Sequence, residues 1–136
     1  MTESVELVEA CPSCGRGCVV HAGQSWIAWR ATLAWFRSYA CEHCGARIEA
    51  DGDDLPGPQL RDALLRRHGR WVVEGIGPSP VAIAKALRKV LGLDLKDALD
   101  RARAPDRRCW EGTRVEAHWM QDRLRIEGAE SRVRAL

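Results

Sequence analysis

Two Cys-x-x-Cys pairs, Cys11-Pro-Ser-Cys14-Gly and Cys41-Glu-His-Cys44-Gly, constrain this chain more than any other feature. Each pair can set two thiolates on one side of a metal ion at about 2.3 Å, and the glycine that follows lets backbone amides turn toward the sulfurs. The expectation is a zinc ribbon over residues 10–55, with one structural zinc ion held by Cys11, Cys14, Cys41 and Cys44. The 26 residues between the pairs exceed the usual structural-zinc template but alternate like strands. A redox Cys-x-x-Cys would need only one pair. A disulfide framework is disfavoured because no apolar leader precedes Cys11 and Glu3, Glu6 and Glu9 make residues 1–9 an acidic tail. The chain therefore reads as cytoplasmic and reduced. Cys18, His21 and His43 stand close enough to compete as ligands, which leaves a Cys3His set open as the alternative. Cys109 is remote and reads as a small packed hydrophobe.

With 136 residues, 46% hydrophobic and 29% charged, the chain can bury one modest core beside a metal-stapled module. No run approaches the length of a membrane span, and no internal repeat is evident. Charge is unevenly distributed. Residues 1–54 carry four arginines against eight acids, a net of −4, and residues 55–136 carry seventeen basic groups against eleven acids, a net of +6. An acidic ribbon is a poor phosphate binder and argues for a protein partner. The second choice is a nucleic-acid-binding regulator that uses the basic half, with the ribbon aromatics as a stacking surface.

Those aromatics, Trp26, Trp29, Trp35, Phe36 and Tyr39, fall in two strand-like segments near 24–31 and 33–40. Period-two alternation puts Leu33, Trp35 and Tyr39 on one face and Ala34, Phe36 and Ala40 on the other. Packing is the favoured role, since a ribbon alone has little core in which to hide indoles. A turn-rich stretch, Asp51-Gly-Asp-Asp-Leu-Pro-Gly-Pro, leads to a connecting helix within 56–70, with Pro58 first and Gly69 just past its end. From Trp71 the pattern is strand, helix 80–91 capped by Ser79, helix 95–103 capped by Asp94, strand 107–110, helix after the Thr113-x-x-Glu116 capping box, and strand 131–136. The fold class is α+β: a small antiparallel ribbon, a connecting helix, and over 71–136 an α/β sandwich of β-α-α-β-α-β order.

The run Val81-Ala-Ile-Ala-Lys85-Ala-Leu-Arg88-Lys-Val-Leu-Gly92-Leu93-Asp-Leu95-Lys96-Asp-Ala98 resembles the helix-turn-helix segment in the C-terminal domain of the bacterial ribosomal stalk protein family, L-seven/L-twelve. The resemblance continues more loosely through Glu111-Gly112 and Gly128-Ala129 and spans about half the chain. It implies a domain that recruits translation factors through its first two helices, with Val81, Lys85 and Arg88 at contact positions, Gly92, Leu93 and Leu95 at the turn, and Lys96 just beyond. The residues themselves put Lys85, Arg88 and Lys89 at i, i+3 and i+4, one basic helical face. Two positions depart from the family: Asp94 replaces a turn glycine, and Ala84 replaces an aliphatic residue of the exposed face. The stalk protein's dimerisation segment and hinge are replaced by the ribbon, so the chain reads as a different protein carrying a similar domain.

No Walker loop, Rossmann fingerprint or His-Glu-x-x-His motif is present, and four thiolates would leave a zinc ion no open coordination position. The expectation is a non-enzymatic adaptor with a protein partner, no small-molecule substrate and no membrane association, the partner being part of the translation machinery or a toxin-like target.

Overall fold

Glycine and cysteine punctuate the first half of the chain into two hairpins. The structure, a computed structural model, describes residues 1–136 except Trp29. Strands β1 (Thr2–Ala10) and β2 (Gly17–Ser25) flank the first Cys-x-x-Cys, and β3 (Ala34–Ala40) and β4 (Arg47–Asp53) flank the second. They form one antiparallel sheet of order β1-β2-β3-β4. The chain divides into two compact units, Met1–His68 and Gly69–Leu136.

Three expectations for the first unit need correction. Residues 1–9 are not a tail: Glu3, Val5, Leu7 and Glu9 alternate inward along β1, so the acids sit within an amphipathic strand. The segment 24–31 is strand only to Ser25, and the turn-rich 51–58 stretch begins as the end of β4. Helix α1 (Pro58–His68) belongs to this first unit, where Leu60 and Leu64 pack with Val20 and Ala22 and against Val5, Leu7, Trp35 and Tyr39. Trp35 and Tyr39 thus share the α1 face as their alternation predicts, and Phe36 projects to the other face, over Gly23. Trp29 lies outside the described residues.

The second unit builds its sheet from β5 (Trp71–Gly75), β6 (Arg108–Gly112) and β7 (Ser131–Ala135) in the order β6-β5-β7, antiparallel throughout. Helices α2 (Pro80–Leu91), α3 (Leu95–Arg103) and α4 (Arg114–Ile126) fall between these strands in the chain. Ile83, Leu87, Ala98, Ala102, Met120 and Leu124 from the three helices meet Val73 and Cys109 of the sheet in one core. Burying each large aliphatic side chain contributes about 1.5–3 kcal/mol. Gly75 admits α2 closely: a Cβ there would sit 2.6 Å from Ile83 Cδ1. A register shift between Val73 and Glu74 lies opposite Cys109, which is buried in the same core.

Helix ends follow from local chemistry. Ser79 Oγ accepts the Ala82 N–H, Pro80 opens α2, and Gly92 at φ 67° closes it. Asp94 caps α3 by accepting the Asp97 N–H at 2.8 Å. The Asp94 side chain thus has a structural role at the start of α3. Thr113 and Glu116 form a reciprocal capping box on α4. The Glu116 carboxylate, fully buried, also accepts the Trp110 indole N–H at 3.2 Å.

Candidate metal centre and helical surface

Both Cys-x-x-Cys turns have one construction. The Gly15 N–H donates to Cys11 O and the Cys11 N–H to Arg16 O, both at 2.7 Å. In the second turn the Gly45 N–H donates to Cys41 O at 2.9 Å and the Cys41 N–H to Ala46 O at 2.8 Å. Gly15 and Gly45 both have φ 76°, a left-handed conformation that a side chain would strain. The shared pattern Ala-Cys-x-x-Cys-Gly, at 10–15 and 40–45, is a short repeat that marks the tips of two similar hairpins. It corrects the expectation that the chain contains no internal repeat. The exact 30-residue recurrence was the available signal.

Pairing β2 with β3 carries the two tips to the same end of the sheet, and the four sulfurs lie within 4.8 Å of one another. Cys11 Sγ is 3.7 Å from Cys44 Sγ, and Cys14 Sγ is 3.7 Å from Cys41 Sγ. A tetrahedron with metal–sulfur bonds of about 2.3 Å has edges of about 3.8 Å, so these separations suit one tetrahedral ion. The four cysteines can therefore hold a metal. Cys11 and Cys41 are 1% and 3% exposed, whereas Cys14 and Cys44 face solvent.

Electrostatics point the same way. The Cys14 and Ser13 amides hold the Cys11 thiol down at about 6. At Cys44 the Ala46 amide acts in that direction, but burial and the neighbouring sulfurs outweigh it and push the thiol up to about 12. Crowded sulfurs resist joint ionisation, and a cation among them removes that cost.

The competing ligands lie outside the four-sulfur group. Cys18, on β2, is buried against Cys11 and Cys41, and burial pushes its thiol up. His21 Nδ1 faces Glu6 at 3.5 Å, and the Arg16 guanidinium lies 3.3 Å from His43 Nδ1. Among the described residues, the four-cysteine group is the one set of three or more His, Cys, Asp or Glu close enough to hold a metal.

On the second unit, α2, the turn after it and the start of α3 carry the residues singled out for partner binding. Val81 is 64% exposed and Leu95 53%. Lys85, Arg88, Lys89, Gly92 and Leu93 line a groove of about 380 Å³. Lys96 is exposed at the start of α3. Two of these residues have further ties within the unit: Lys89 Nζ pairs with Glu127 at 3.3 Å, and Leu93 packs against the core. Ala84, read from the resemblance as an exposed position, is instead 2% exposed and belongs to the core, because it lies on the same helical face as Ile83 and Leu87.

No family model matches the chain, and no curated protein matches it.

Proposed function

We propose that the protein is a non-enzymatic adaptor whose first unit is a zinc ribbon and whose second unit binds another protein through α2 and α3. The observation that carries this reading is the exposed surface of those helices. Val81 and Leu95 are apolar side chains held in solvent, and the groove lined by Lys85, Arg88 and Lys89 adds positive charge. An acidic surface with small apolar projections would complement both features. A component of the translation machinery fits the resemblance of this segment to the stalk family, and a toxin-like target with such an acidic surface is the other candidate.

Zinc is the proposed metal because four thiolates in tetrahedral array favour it over harder ions. A closed four-sulfur shell has no place for an activated water, so its role is structural. A reduced, cytoplasmic setting keeps the thiols available to the metal.

Affinity capture on wild-type protein and on Lys85→Glu/Arg88→Glu, with and without nuclease, tests the adaptor reading. A nuclease-resistant protein partner should co-purify in stoichiometric amount and be lost from the double variant, while thermal melting stays unchanged. Equal recovery by both proteins would remove α2 from the interface.

A further inference from the structure

The three helices of the second unit pack on one face of its sheet, and the other face is built from charge. Cross-strand pairing places Glu74 beside Arg108 and Arg132, and Val72 beside Glu111 and Arg134, all on that second face. Two carboxylates there are each shared by two arginines. Arg134 and Arg132 both bond to Glu74, the latter at 3.5 Å. Arg70 and Arg108 approach Glu111 at 3.4 and 3.7 Å, and Arg108 also reaches Asp106.

Four arginines against three carboxylates, Glu74, Glu111 and Asp106, leave this face a net charge of +1. Glu74 is mostly buried, and Arg134 followed by Arg132 holds its carboxyl below the ordinary carboxylate range, so it stays ionised and anchors both guanidinium groups. The arginine side chains nevertheless remain 38–64% exposed. Each guanidinium carries five N–H donors, of which an ion pair uses one or two. Arg132 and Arg134 project from the same face about 7 Å apart along β7. The result is a flat array of pre-oriented donors with residual positive charge.

We propose that this face binds the phosphodiester backbone of a nucleic acid, independently of sequence. Guanidinium forks match phosphate oxygens in pairs. An acidic protein is a poorer match, because such interfaces centre on apolar or aromatic anchors, and the one apolar side chain among these positions, Val72, is fully buried. Among the described residues of this face no ring is offered to bases, since Trp71 and Trp110 pack toward the helix core. Phosphate contacts without base contacts give affinity without sequence readout. The surface is separate from the α2 groove and stands whether or not the adaptor reading holds.

The test is fluorescence anisotropy of the full chain with 20-nucleotide single-stranded RNAs of two unrelated sequences, the matching DNA strand, duplex DNA, and a polyglutamate peptide. Four phosphate contacts predict a log–log salt slope of about −2.8 on single strands, roughly a 50-fold loss from 50 to 200 mM salt. Arg132→Glu/Arg134→Glu should lower affinity and reduce the slope magnitude by at least about 1.4. Arg132→Lys/Arg134→Lys should retain most of the binding, and Lys85→Glu/Arg88→Glu should match wild type. NMR of arginine side-chain Nε–H groups, which needs no variant, should show Arg132 and Arg134 shifting on RNA addition. Duplex-only or single-strand-only binding would identify which nucleic acid supplies the phosphates. The proposal is overturned by any of three results: no nucleic-acid binding at 50 mM salt, unshifted Arg132 and Arg134 signals, or polyglutamate binding as tight as RNA.

Discussion

At the scale of single residues, sulfur separation and backbone amides fit Cys11, Cys14, Cys41 and Cys44 to hold one metal ion. Cys14→Ser and Cys44→Ser should each abolish stoichiometric metal binding, measured by elemental analysis of purified protein, because three thiolates leave the tetrahedron open. Cys18→Ser should retain one metal per chain, since Cys18 is outside the four-sulfur group. Metal affinity should increase with pH, as each thiol must lose its proton to ligate. Glu74 gives a separate acid-side prediction. Its carboxyl pKa is depressed below the ordinary value of 4.5 in the folded state. The associated stability is therefore present above pH 4.5 and is lost as pH falls through the depressed folded value. Glu74→Gln should lose this acid-dependent component in urea melts at pH 3 to 6, while remaining less stable than wild type at pH 7.

At the scale of elements, two glycine–aromatic pairs shape the ribbon sheet. Phe36 lies over Gly23 and Trp35 over Gly52, its cross-strand partner in each case. A Cβ on Gly23 would also meet Glu3 O at 2.5 Å, a backbone atom that cannot swing aside. Gly23→Ala should therefore destabilise the protein by about 1–3 kcal/mol, as overpacking does. The mobile end of a side chain could yield, but the β1 backbone is tied into nine paired positions along β2. On α4, Thr113→Ala removes the hydroxyl that accepts the Glu116 N–H at 3.1 Å. That loss should cost about 1 kcal/mol, read as a lower denaturation midpoint with an unchanged m-value.

At the scale of the whole molecule, residues 1–68 and 69–136 form separate compact units, and among the described residues the one group able to hold a metal lies in the first. Calorimetry should resolve two transitions, and a chelator should lower one by 10 °C or more while leaving the other in place. One transition, shifted as a whole, would show that the units unfold together. The legible parts of this fold were those written in local chemistry. Ser79, Pro80, Gly92, Asp94 and the Thr113–Glu116 box delimit helices through bonds to neighbours three or four residues away. The clustering of the four cysteines was equally legible, because each turn holds its own pair. Strand β1 was not: its alternating acids looked like a tail because the face it offers has meaning only when β2 and α1 lie against it. Ala84 and the arginine face of the second sheet were hidden for the same reason. Sequence alone determined where helices start and stop and which sulfurs can meet a metal, since short-range hydrogen bonds and covalent spacing settle both. Only the tertiary structure decided which faces are buried and which charges gather, because those depend on partners 28 to 60 residues away, as Glu9 with Arg37 and Glu74 with Arg134 show.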